Sequence, residues 1–481
     1  MEQESNIYGT VVKRTVMEEG LYYSKCFTCT HSPDTIHHTK KPGKWSHVLL
    51  LSVIFLSLGG SIPVGYICGT STNPYHVEDS WVELPMSNLR TLLLVGGVVG
   101  TGVSAILTDW AGRRYTTLVS QMIGTVGAAT HLAASLMQSE TILIVAWLIL
   151  GLFIGVAVCV VPLYLVELAP YPLRMSVATV FTVGTSLGLM LSETLSLHSA
   201  LAIGKGHSFL VPAFAFLLFV SWFFFRHVPE SPSYLYFIVK DKNLAALELA
   251  KLCGSDVASA EAEFDNRCLQ KETSHPLMHL ILLLLLCGAN TSQALGESDQ
   301  LYHISEARPR LSESDVVAAG YTASVVNCIV ALMLVQLITT VSWRVLLITS
   351  CVSSSVLLFV MAAFALLEDT SNKTVYFMLA TLLVQVIVFD LGLRAIPCYL
   401  ATELFGDKTS TIMMSVGGAV NFLGQLVSDQ MFLLLGVAYF RFIAALFLAS
   451  FAVLLLISLP KDSSSRDKPK VHSSFSHLPN P

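Results

Sequence analysis

The longest interruption in the hydrophobic sequence of this chain lies near its middle, where polar and charged residues occupy 227–274. The hydrocarbon core of a bilayer is ~30 Å thick and needs ~20 apolar residues per helix. Apolar stretches of that length occur on both sides of the polar segment. Hydrophobic residues make up 53% of the chain and charged residues only 13%, which leaves too little polar surface to cover a water-soluble globule. The sequence therefore predicts two membrane-embedded halves joined by a polar loop.

The apolar stretches divide into six predicted helices before the loop and six after it. They lie near 47–68, 90–109, 117–138, 141–163, 175–196, 208–226, 276–295, 317–338, 345–367, 375–398, 411–435 and 438–459. The predicted fold class is an all-α membrane protein with twelve transmembrane helices in two six-helix halves. The corresponding domains are an N-terminal tail at 1–45, an N-terminal half at 46–226, a joining loop at 227–274, a C-terminal half at 275–460 and a C-terminal tail at 461–481.

Lys and Arg residues decide the predicted orientation, because the cytoplasmic loops of membrane proteins hold the excess of them. They are concentrated in the two tails, in the turn at 111–116 and in the joining loop, which all fall on one side of the membrane in this assignment. Both termini and the joining loop are therefore predicted to be cytoplasmic. The plasma membrane is the expected location, and the polar N-terminal tail predicts that no cleavable signal peptide precedes the first span.

Motifs of several other protein classes are absent from the sequence. The net charge is −5 and no basic stripe with interleaved aromatic residues occurs, which argues against nucleic-acid binding. There is no phosphate-binding Gly-Lys-Ser/Thr loop and no His-Glu-x-x-His helix, so neither an enzyme nor a cofactor is predicted. Cys26 and Cys29 with His31, His37 and His38 fit no standard zinc module, so no metal site is predicted.

Acidic and basic residues recur at the predicted cytoplasmic ends of the spans. The motifs are Asp109-Trp110-Ala111-Gly112-Arg113-Arg114, Glu167 with Arg174 seven residues later, Val228-Pro229-Glu230-Ser231-Pro232, and Glu403-Leu404-Phe405. Carboxylates and guanidinium groups at a membrane edge can hold neighbouring helix ends together by charge-assisted hydrogen bonds, which break when the halves of a transporter rock apart. The alternative interpretation is a set of basic turns that only fix the topology.

In order and spacing these motifs resemble the sugar porter family of the major facilitator superfamily, the family of facilitative glucose and fructose transporters, over roughly 46–462. The resemblance implies the major facilitator fold, with a substrate site at the midplane between the halves. It also implies a cytoplasmic gate of salt bridges between helices. The implied gate residues are Asp109, Arg113, Arg114, Glu167, Arg174, Glu230, Arg344 and Glu403.

The gate motifs depart from the family pattern mainly in the C-terminal half. Where the family carries Glu-Arg-x-Gly-Arg-Arg, the sequence has a segment in which only Arg344 matches. Ser410 replaces the Arg that usually follows Glu403 by seven residues. The expected consequence is an outward-open state that is less tightly held.

The resemblance further implies a sugar site, since hexoses are bound by side-chain amides and hydroxyls beside an apolar wall. The implied substrate-binding residues are Thr182, Ser292, Gln293, Ser298, Asn327, Asp390, Cys398, Asn421 and Gln425. Four are amides, and most of the others are shorter than the family's residues. Each lost hydrogen bond costs ~1–3 kcal/mol of affinity, so the predicted site is weak or fitted to a different polyol. Hydrogen bonding between helices is the alternative role for the amides.

Charges within the spans bear on energy coupling, because they are costly and usually functional. Proton-coupled members of the family carry an Asp in the first span and an Arg in the fourth, and the matching residues here are Ile67 and Trp147. The resemblance therefore implies a uniporter. Glu193 and Asp429 are expected to lie near extracellular water rather than in a proton relay.

Two functions of different class follow. The favoured one is facilitative uniport of a hexose or related polyol by alternating access, with the small-molecule substrate and membrane lipid as partners. The alternative is a transporter-like protein that moves no sugar and acts as a sensor, receptor or partner, or one that carries a different small solute. Arg394 in span ten would attract an anion if it faced the cavity, but pairing with Asp390 on the same helix face is expected. Asn372-Lys373-Thr374 is a candidate glycosylation sequon.

Overall fold

The structure is a computed structural model, and it describes the greater part of the chain between residues 46 and 458. The described residues are 46–72, 82, 84, 86–170, 173–196, 211–253, 264, 276–307, 313–366, 372–405 and 409–458. Both predicted tails lie outside them, as does the Cys26 and Cys29 cluster. The side chains of Ser298, Asn372 and Glu403 also lie outside the described part, although their backbones belong to helices.

The N-terminal helices follow the first six predicted spans. They are α1 (His47–Leu56), α2 (Ile62–Thr72), α3 (Met86–Ala111), α4 (Arg113–Met137), α5 (Glu140–Leu168), α6 (Arg174–Ser196) and α7 (Ala215–Trp222). A π-helical turn at Ser57–Ser61 joins α1 to α2, and a 3₁₀ turn at Val211–Phe214 leads into α7. Ser46 caps the N-terminus of α1. Its hydroxyl accepts a hydrogen bond from the backbone N–H of Leu49 at 3.1 Å and so satisfies a donor that the helix end leaves unpaired.

The joining segment and the C-terminal helices complete the described fold. They are α8 (Lys242–Cys253), α9 (Pro276–Ala307), α10 (Glu313–Thr340), α11 (Trp343–Leu366), α12 (Asn372–Asp390), α13 (Pro397–Leu404), α14 (Ser410–Leu435) and α15 (Val437–Ser458). Each of the six later predicted spans overlaps one of these helices. The α8 helix was not predicted, and it buries Ala245 and Leu249 together with Phe264.

Eight helices in the described part are long and apolar enough to cross a membrane, and three shorter apolar helices accompany them. The predicted span at 117–138, which corresponds to α4, is in neither group. Polar residues on its inward face, among them Thr117, Ser120 and Gln121, are buried against other helices. These polar residues lower the mean hydropathy of α4, although they face the interior of the protein rather than lipid.

The predicted single span at 375–398 is wrong in one respect, because the helix is broken within it. The α12 helix ends at Asp390, the chain turns through 391–396, and α13 begins at Pro397. The Ser350 hydroxyl on α11 donates to the Val388 carbonyl at 2.8 Å and accepts from the Leu393 N–H at 3.2 Å. These bonds satisfy backbone groups that the helix break would otherwise leave unpaired.

The buried apolar side chains form two large clusters. One consists mainly of residues from α1–α8, joined by Phe422 of α14. The other consists mainly of residues from α9–α15, joined by Leu163 and Val166 of α5. We propose the predicted domain boundaries, because the two clusters lie mainly in different halves of the chain.

Two N-terminal helices approach so closely that only glycine fits between them. Gly96 and Gly100 of α3 face Gly151 and Gly155 of α5. An added Cβ would lie 2.4 Å from a backbone oxygen at Gly96, 2.5 Å at Gly100, and 2.2 Å at both Gly151 and Gly155. Small residues four apart on facing helices allow this close backbone contact in membranes.

Replacing Gly100 by Val is expected to force α3 and α5 apart, because the new side chain would meet the carbonyl oxygen of Leu152. Overpacking of this kind costs about 1–3 kcal/mol. The measurement is the melting temperature of the detergent-extracted protein. Gly102→Val on the same helix is the matched control, because nothing lies within 4 Å of a Cβ added there. Equal melting temperatures for the two variants would contradict the prediction.

Candidate functional site

A cavity of about 240 Å³ lies between the N-terminal and C-terminal helices. Apolar residues such as Leu93, Phe181, Leu382 and Phe422 form much of its wall. The polar residues of its wall are Ser71, Arg90, Thr182, Thr185, Glu193, Asn290, Gln293, Ser324, Asn327, Arg394, Asn421 and Gln425. A mostly apolar wall with a few convergent polar groups is typical of a site for a small molecule.

Six of the nine predicted substrate-binding residues line this cavity. They are Thr182, Gln293, Asn327, Cys398, Asn421 and Gln425. Ser292 and Asp390 are fully buried but are not among the lining residues. The Ser292 hydroxyl instead donates to the Gly288 carbonyl of its own helix at 2.7 Å. The side chain of Ser298 lies outside the described part.

The cavity wall includes residues that the sequence analysis does not assign to a site, among them Asn290, Arg90 and Glu193. Asn290 lies one helical turn before Gln293 on α9. Arg90 fell at the edge of a predicted span and was not assigned a role. Glu193 was expected to lie near extracellular water, and it too lines the cavity. A charged residue within a predicted span was the available signal for Arg90.

A chain of hydrogen bonds runs along α14 at the cavity wall. Arg90 of α3 donates from Nε to Asp429 Oδ2 at 3.0 Å and from Nη2 to Gln425 Oε1 at 3.4 Å. Gln425 Nε2 donates to Asn421 Oδ1 at 2.9 Å, and Asn421 Nδ2 donates to the Asn290 carbonyl at 3.4 Å. The three α14 residues are spaced by four, so they share one face of the helix.

The broken helix of span ten supplies a second polar group at the wall. Arg394 Nη1 lies 3.6 Å from Asp390 Oδ1, which confirms the predicted pairing. The prediction that both lie on one helix is wrong, because the pair forms across the turn that follows α12. That turn also aims the Arg394 carbonyl at α9, where Gln293 Nε2 donates to it at 3.2 Å.

Asn327 of α10 lines the cavity. The residue is 5% exposed, and its buried Oδ1 accepts no hydrogen bond from the part of the chain that the structure describes. A buried amide oxygen without a partner costs about 1–3 kcal/mol.

A second group of polar residues lies at one end of the helices and is called here the Arg113 cluster, consisting of Arg113, Asp109, Glu167, Glu230, Ser231 and Thr411. Arg113 is fully buried and binds Glu167 through two hydrogen bonds, from Nε at 2.8 Å and from Nη2 at 3.0 Å. Its Nη1 also lies 3.6 Å from Asp109 Oδ1. Two parallel bonds from one guanidinium are the strongest form of ion pair available to side chains.

One bond of the Arg113 cluster joins N-terminal to C-terminal helices. Arg113 Nη2 donates to the Thr411 hydroxyl of α14 at 3.1 Å. The residue before it, Ser410, stands where the family carries an Arg. Thr411 was not predicted, and it supplies a neutral link between the helices at the end where the family pattern implies a charged one.

Glu230 receives the first backbone donors of α4. Its Oε1 accepts from the N–H groups of Arg113 at 3.0 Å, Arg114 at 3.1 Å and Ser231 at 2.9 Å. A carboxylate at a helix N-terminus satisfies otherwise unpaired donors and interacts favourably with the helix dipole. Burial raises the pKa of the Glu230 carboxyl, while these backbone donors and Arg113 oppose that rise. Gly112 has φ +86° and passes so close to Glu230 that a Cβ would meet Oε2 at 2.6 Å.

The remaining predicted gate residues make other contacts. Arg114 donates to the Phe225 carbonyl at 3.1 Å, and its guanidinium lies 4.4 Å from the centre of the Phe225 ring. Arg174 donates to the Ala169 carbonyl at 3.4 Å. Arg344 lies over the neighbouring Trp343 ring at 5.4 Å. The side chain of Glu403 lies outside the described part.

The two positions that bear on proton coupling are buried among apolar residues. Ile67 is fully buried and Trp147 is 2% exposed, and both belong to the N-terminal apolar cluster. The ring of His131 lies 6.0 Å from the Trp147 ring in an edge-on arrangement.

A multi-pass helical bundle with a cavity between its N-terminal and C-terminal helices, lined mostly by apolar residues with a few polar groups, has the architecture of a secondary transporter. A family model described as "Sugar (and other) transporter" matches residues 68–461. Because that range covers well over half of the chain, the protein belongs to this family and is an integral, multi-pass membrane protein.

The chain is similar along most of its length to characterised transporters. It is 23% identical over 465 residues to solute carrier family 2, facilitated glucose transporter member 4, from Mus musculus, covering 89% of this chain and 91% of that protein. It is 24% identical over 431 residues to member 5 from Ovis aries, covering 82% and 84%. These relatives are transporters rather than enzymes.

Solved structures show the same fold. The proton:xylose symporter XylE of the major facilitator superfamily, bound to 6-bromo-6-deoxy-D-glucose, superposes with a TM-score of 0.70 at 15% identity, covering 86% of this chain and 95% of that one. A partially occluded inward-open form of XylE from E. coli gives a TM-score of 0.65 at 16% identity, covering 86% and 98%. The predicted major facilitator fold class is confirmed.

Proposed function

We propose that this protein is a facilitative uniporter for a hexose or a related polyol, working by alternating access. The observation that carries the proposal is the set of five amides on three helices around one cavity: Asn290 and Gln293 on α9, Asn327 on α10, and Asn421 with Gln425 on α14. Amides both donate and accept hydrogen bonds, as a polyol requires. The relatives named as glucose transporters support the same substrate class.

Uniport is supported by Ile67 and Trp147, which stand at the two positions where proton-coupled members of the family carry charged residues. A proton carrier needs an ionisable group that meets water in both open states, and neither residue titrates. We accordingly expect that dissipating the pH gradient leaves uptake unchanged.

The Arg113 cluster is proposed as the cytoplasmic gate, with both termini on the same side of the plasma membrane. Its support is the Thr411 link between N-terminal and C-terminal helices, which must open when the cavity opens at that end. The N-terminus of α12, where Asn372 begins the helix, is then on the extracellular side, as glycosylation would require.

The test is uptake of labelled glucose and fructose by proteoliposomes that contain the purified protein, with and without excess unlabelled hexose. Saturable uptake that the unlabelled hexose suppresses is the expected result. Uptake no higher than that of empty liposomes, from protein shown to be folded, would reject the sugar uniporter and favour a sensor, receptor or partner role.

Gln293→Ala is expected to raise the KM for hexose about tenfold, the effect of losing one hydrogen bond to a substrate hydroxyl. Thr291→Ala is the matched control, because its hydroxyl bonds within its own helix to the Cys287 carbonyl at 2.9 Å. The KM of both variants is measured in the same uptake assay. An unchanged KM for Gln293→Ala would remove this amide from the proposed site.

A second candidate is transport of an anionic solute. The observation that favours it is the presence of two guanidinium groups, those of Arg90 and Arg394, in the cavity wall. Each is paired with a carboxylate, Asp429 at 3.0 Å and Asp390 at 3.6 Å, which reduces the attraction for an anion. Competition of hexose uptake by glucuronate distinguishes the two, since only an anion site would prefer the carboxylated sugar.

A further inference from the structure

Arg90 joins an ion pair between helices to the amides of the proposed site. Its side chain is 13% exposed and that of Asp429 is 9% exposed, so solvent screens this pair far less than a surface pair. The same guanidinium reaches Gln425 at 3.4 Å. One side chain of α3 therefore contacts two successive polar positions of α14.

The direction of the hydrogen bonds fixes the orientation of both amides. A guanidinium has donors only, so Arg90 holds the oxygen of Gln425 and leaves its nitrogen to face Asn421. Asn421 must then present its oxygen to Gln425, and its nitrogen donates to the Asn290 carbonyl. The Asn290 carbonyl, which can only accept, fixes the same orientation from the other end of this chain of bonds, and Arg90 adds a charged donor at the Gln425 oxygen.

The Arg90 pair lies at the opposite end of the helices from the Arg113 cluster. On α3, Arg90 is 19 residues before Asp109, which corresponds to ~29 Å along the helix. On α14, Asp429 is 18 residues after Thr411, which corresponds to ~27 Å. The α14 helix is thus linked to the N-terminal helices near both of its ends, and the cavity lies between the two links.

Alternating access requires each end of the cavity to open in turn. Opening at the Arg90 end separates α3 from α14, so Arg90 leaves both Asp429 and Gln425. The Gln425 oxygen loses its charged donor at the same moment. Closure of this end and ordering of the amides therefore stabilise each other, which is a coupling between two equilibria.

We infer that Arg90 is a positioning residue for the proposed substrate amides and that the Asp429 carboxylate holds it in place when the cavity is closed at this end. The inference rests on the proposed function, because it assigns the amides to a substrate. In this inference Arg90 acts without binding the sugar itself. It also explains why Arg90 and Asp429, two charged residues, lie within the membrane.

The main variant for the test is Arg90→Lys. Lysine keeps the positive charge for Asp429 but has a single ammonium group, which cannot bond both partners in the guanidinium geometry. The expected result is a KM for hexose raised about tenfold, with Vmax within about twofold of the original protein. Thr91→Ala, at a neighbouring hydroxyl that bonds the Ser87 carbonyl at 2.8 Å, is the control and is expected to change neither.

A second readout does not depend on transport. Cys68 lines the cavity and is partly exposed, and its rate of reaction with a membrane-impermeant thiol reagent outside the cell reports opening at the Arg90 end. Arg90→Lys and Asp429→Asn are expected to accelerate the reaction several-fold, and saturating hexose is expected to slow it in the original protein.

The outcomes separate the inference from the function on which it rests. An unchanged KM for Arg90→Lys together with an unchanged Cys68 rate overturns the inference, even if hexose uptake by the original protein is normal. A lowered Vmax with an unchanged KM also overturns it, since Arg90 would then only hold the helices. If Arg90→Lys is not recovered as folded protein, Asp429→Asn gives the same comparison, because it frees Arg90 without removing it. Absence of hexose uptake in the original protein rejects the proposed function, whereas the Cys68 rates still report the Arg90 link.

Discussion

Glu167→Gln is expected to lower the free energy of unfolding by about 3–5 kcal/mol, the usual effect of removing one partner of a buried ion pair. Arg113 is fully buried, and the two carboxylate oxygens of Glu167 accept its Nε and Nη2 at 2.8 and 3.0 Å. Gln keeps the size of the side chain but places an amide N–H against a guanidinium N–H. Asp109 at 3.6 Å would be left as the carboxylate nearest to this buried charge among the contacts described.

The control for Glu167→Gln is an ion pair of the same length in a different environment. Lys251 and Glu248 of α8 are also 2.8 Å apart, but the Lys251 side chain is 52% exposed. Removing that pair with Lys251→Gln is expected to cost about 0–1 kcal/mol, because water screens it. Thermal unfolding in detergent measures both. Similar shifts in the two variants would show that burial of Arg113 does not set its contribution.

The layout of the membrane helices could be predicted because it depends on local sequence. Each span is a run of apolar residues long enough for the bilayer, and α4 was predicted in the same way even though its face toward the protein is polar. The break after Asp390 could not be predicted in the same way. It depends on the Ser350 hydroxyl and on the approach of Gly392 to the Leu346 carbonyl, where a Cβ would lie 2.5 Å away. Both partners belong to another helix.

The site could be predicted only where single residues carry the signal. An amide such as Gln293 within a span indicates a polar contact whatever its neighbours are. In the Arg90 network, Arg90 and Asp429 are 339 residues apart in the sequence and lie on different helices. The sequence therefore predicted Asp429 near water rather than beside an arginine. Its four-residue spacing from Gln425 was visible in the sequence, but the donor that joins them was not.

The gate shows a similar limit. The absence of an Arg at Ser410 predicted a weaker link between the N-terminal and C-terminal helices, and the structure supplies a bond through the next residue, Thr411. A hydroxyl that accepts from a guanidinium is weaker than a second carboxylate pair. The prediction of a less tightly held outward-open state therefore stays a prediction, and Thr411→Val would remove the described bond without changing any charge.

Asp390→Asn is expected to be the second most damaging substitution, because it leaves the Arg394 charge next to a neutral amide. Asp390 is fully buried and lies 3.6 Å from the guanidinium, whose side chain is 13% exposed toward the cavity. Water from the cavity can reach Arg394, so the expected loss is about 3 kcal/mol, the lower end of the range for a broken buried pair. The melting temperature in detergent measures it.

The same substitution also separates stability from transport. Arg394 presents its carbonyl to Gln293 from the turn after α12, so movement of an unpaired Arg394 is expected to displace an amide of the proposed site and raise the KM for hexose about tenfold, as Gln293→Ala does. Adding Arg394→Gln to Asp390→Asn removes the charge as well, and two neutral side chains of similar size can bond each other. The double variant is therefore expected to recover most of the lost stability, since the penalty comes from the orphaned charge rather than from the loss of the pair. If Asp390→Asn is as stable as the original protein, another group compensates the charge of Arg394. If the double variant is no more stable than Asp390→Asn, the turn requires the ion pair itself.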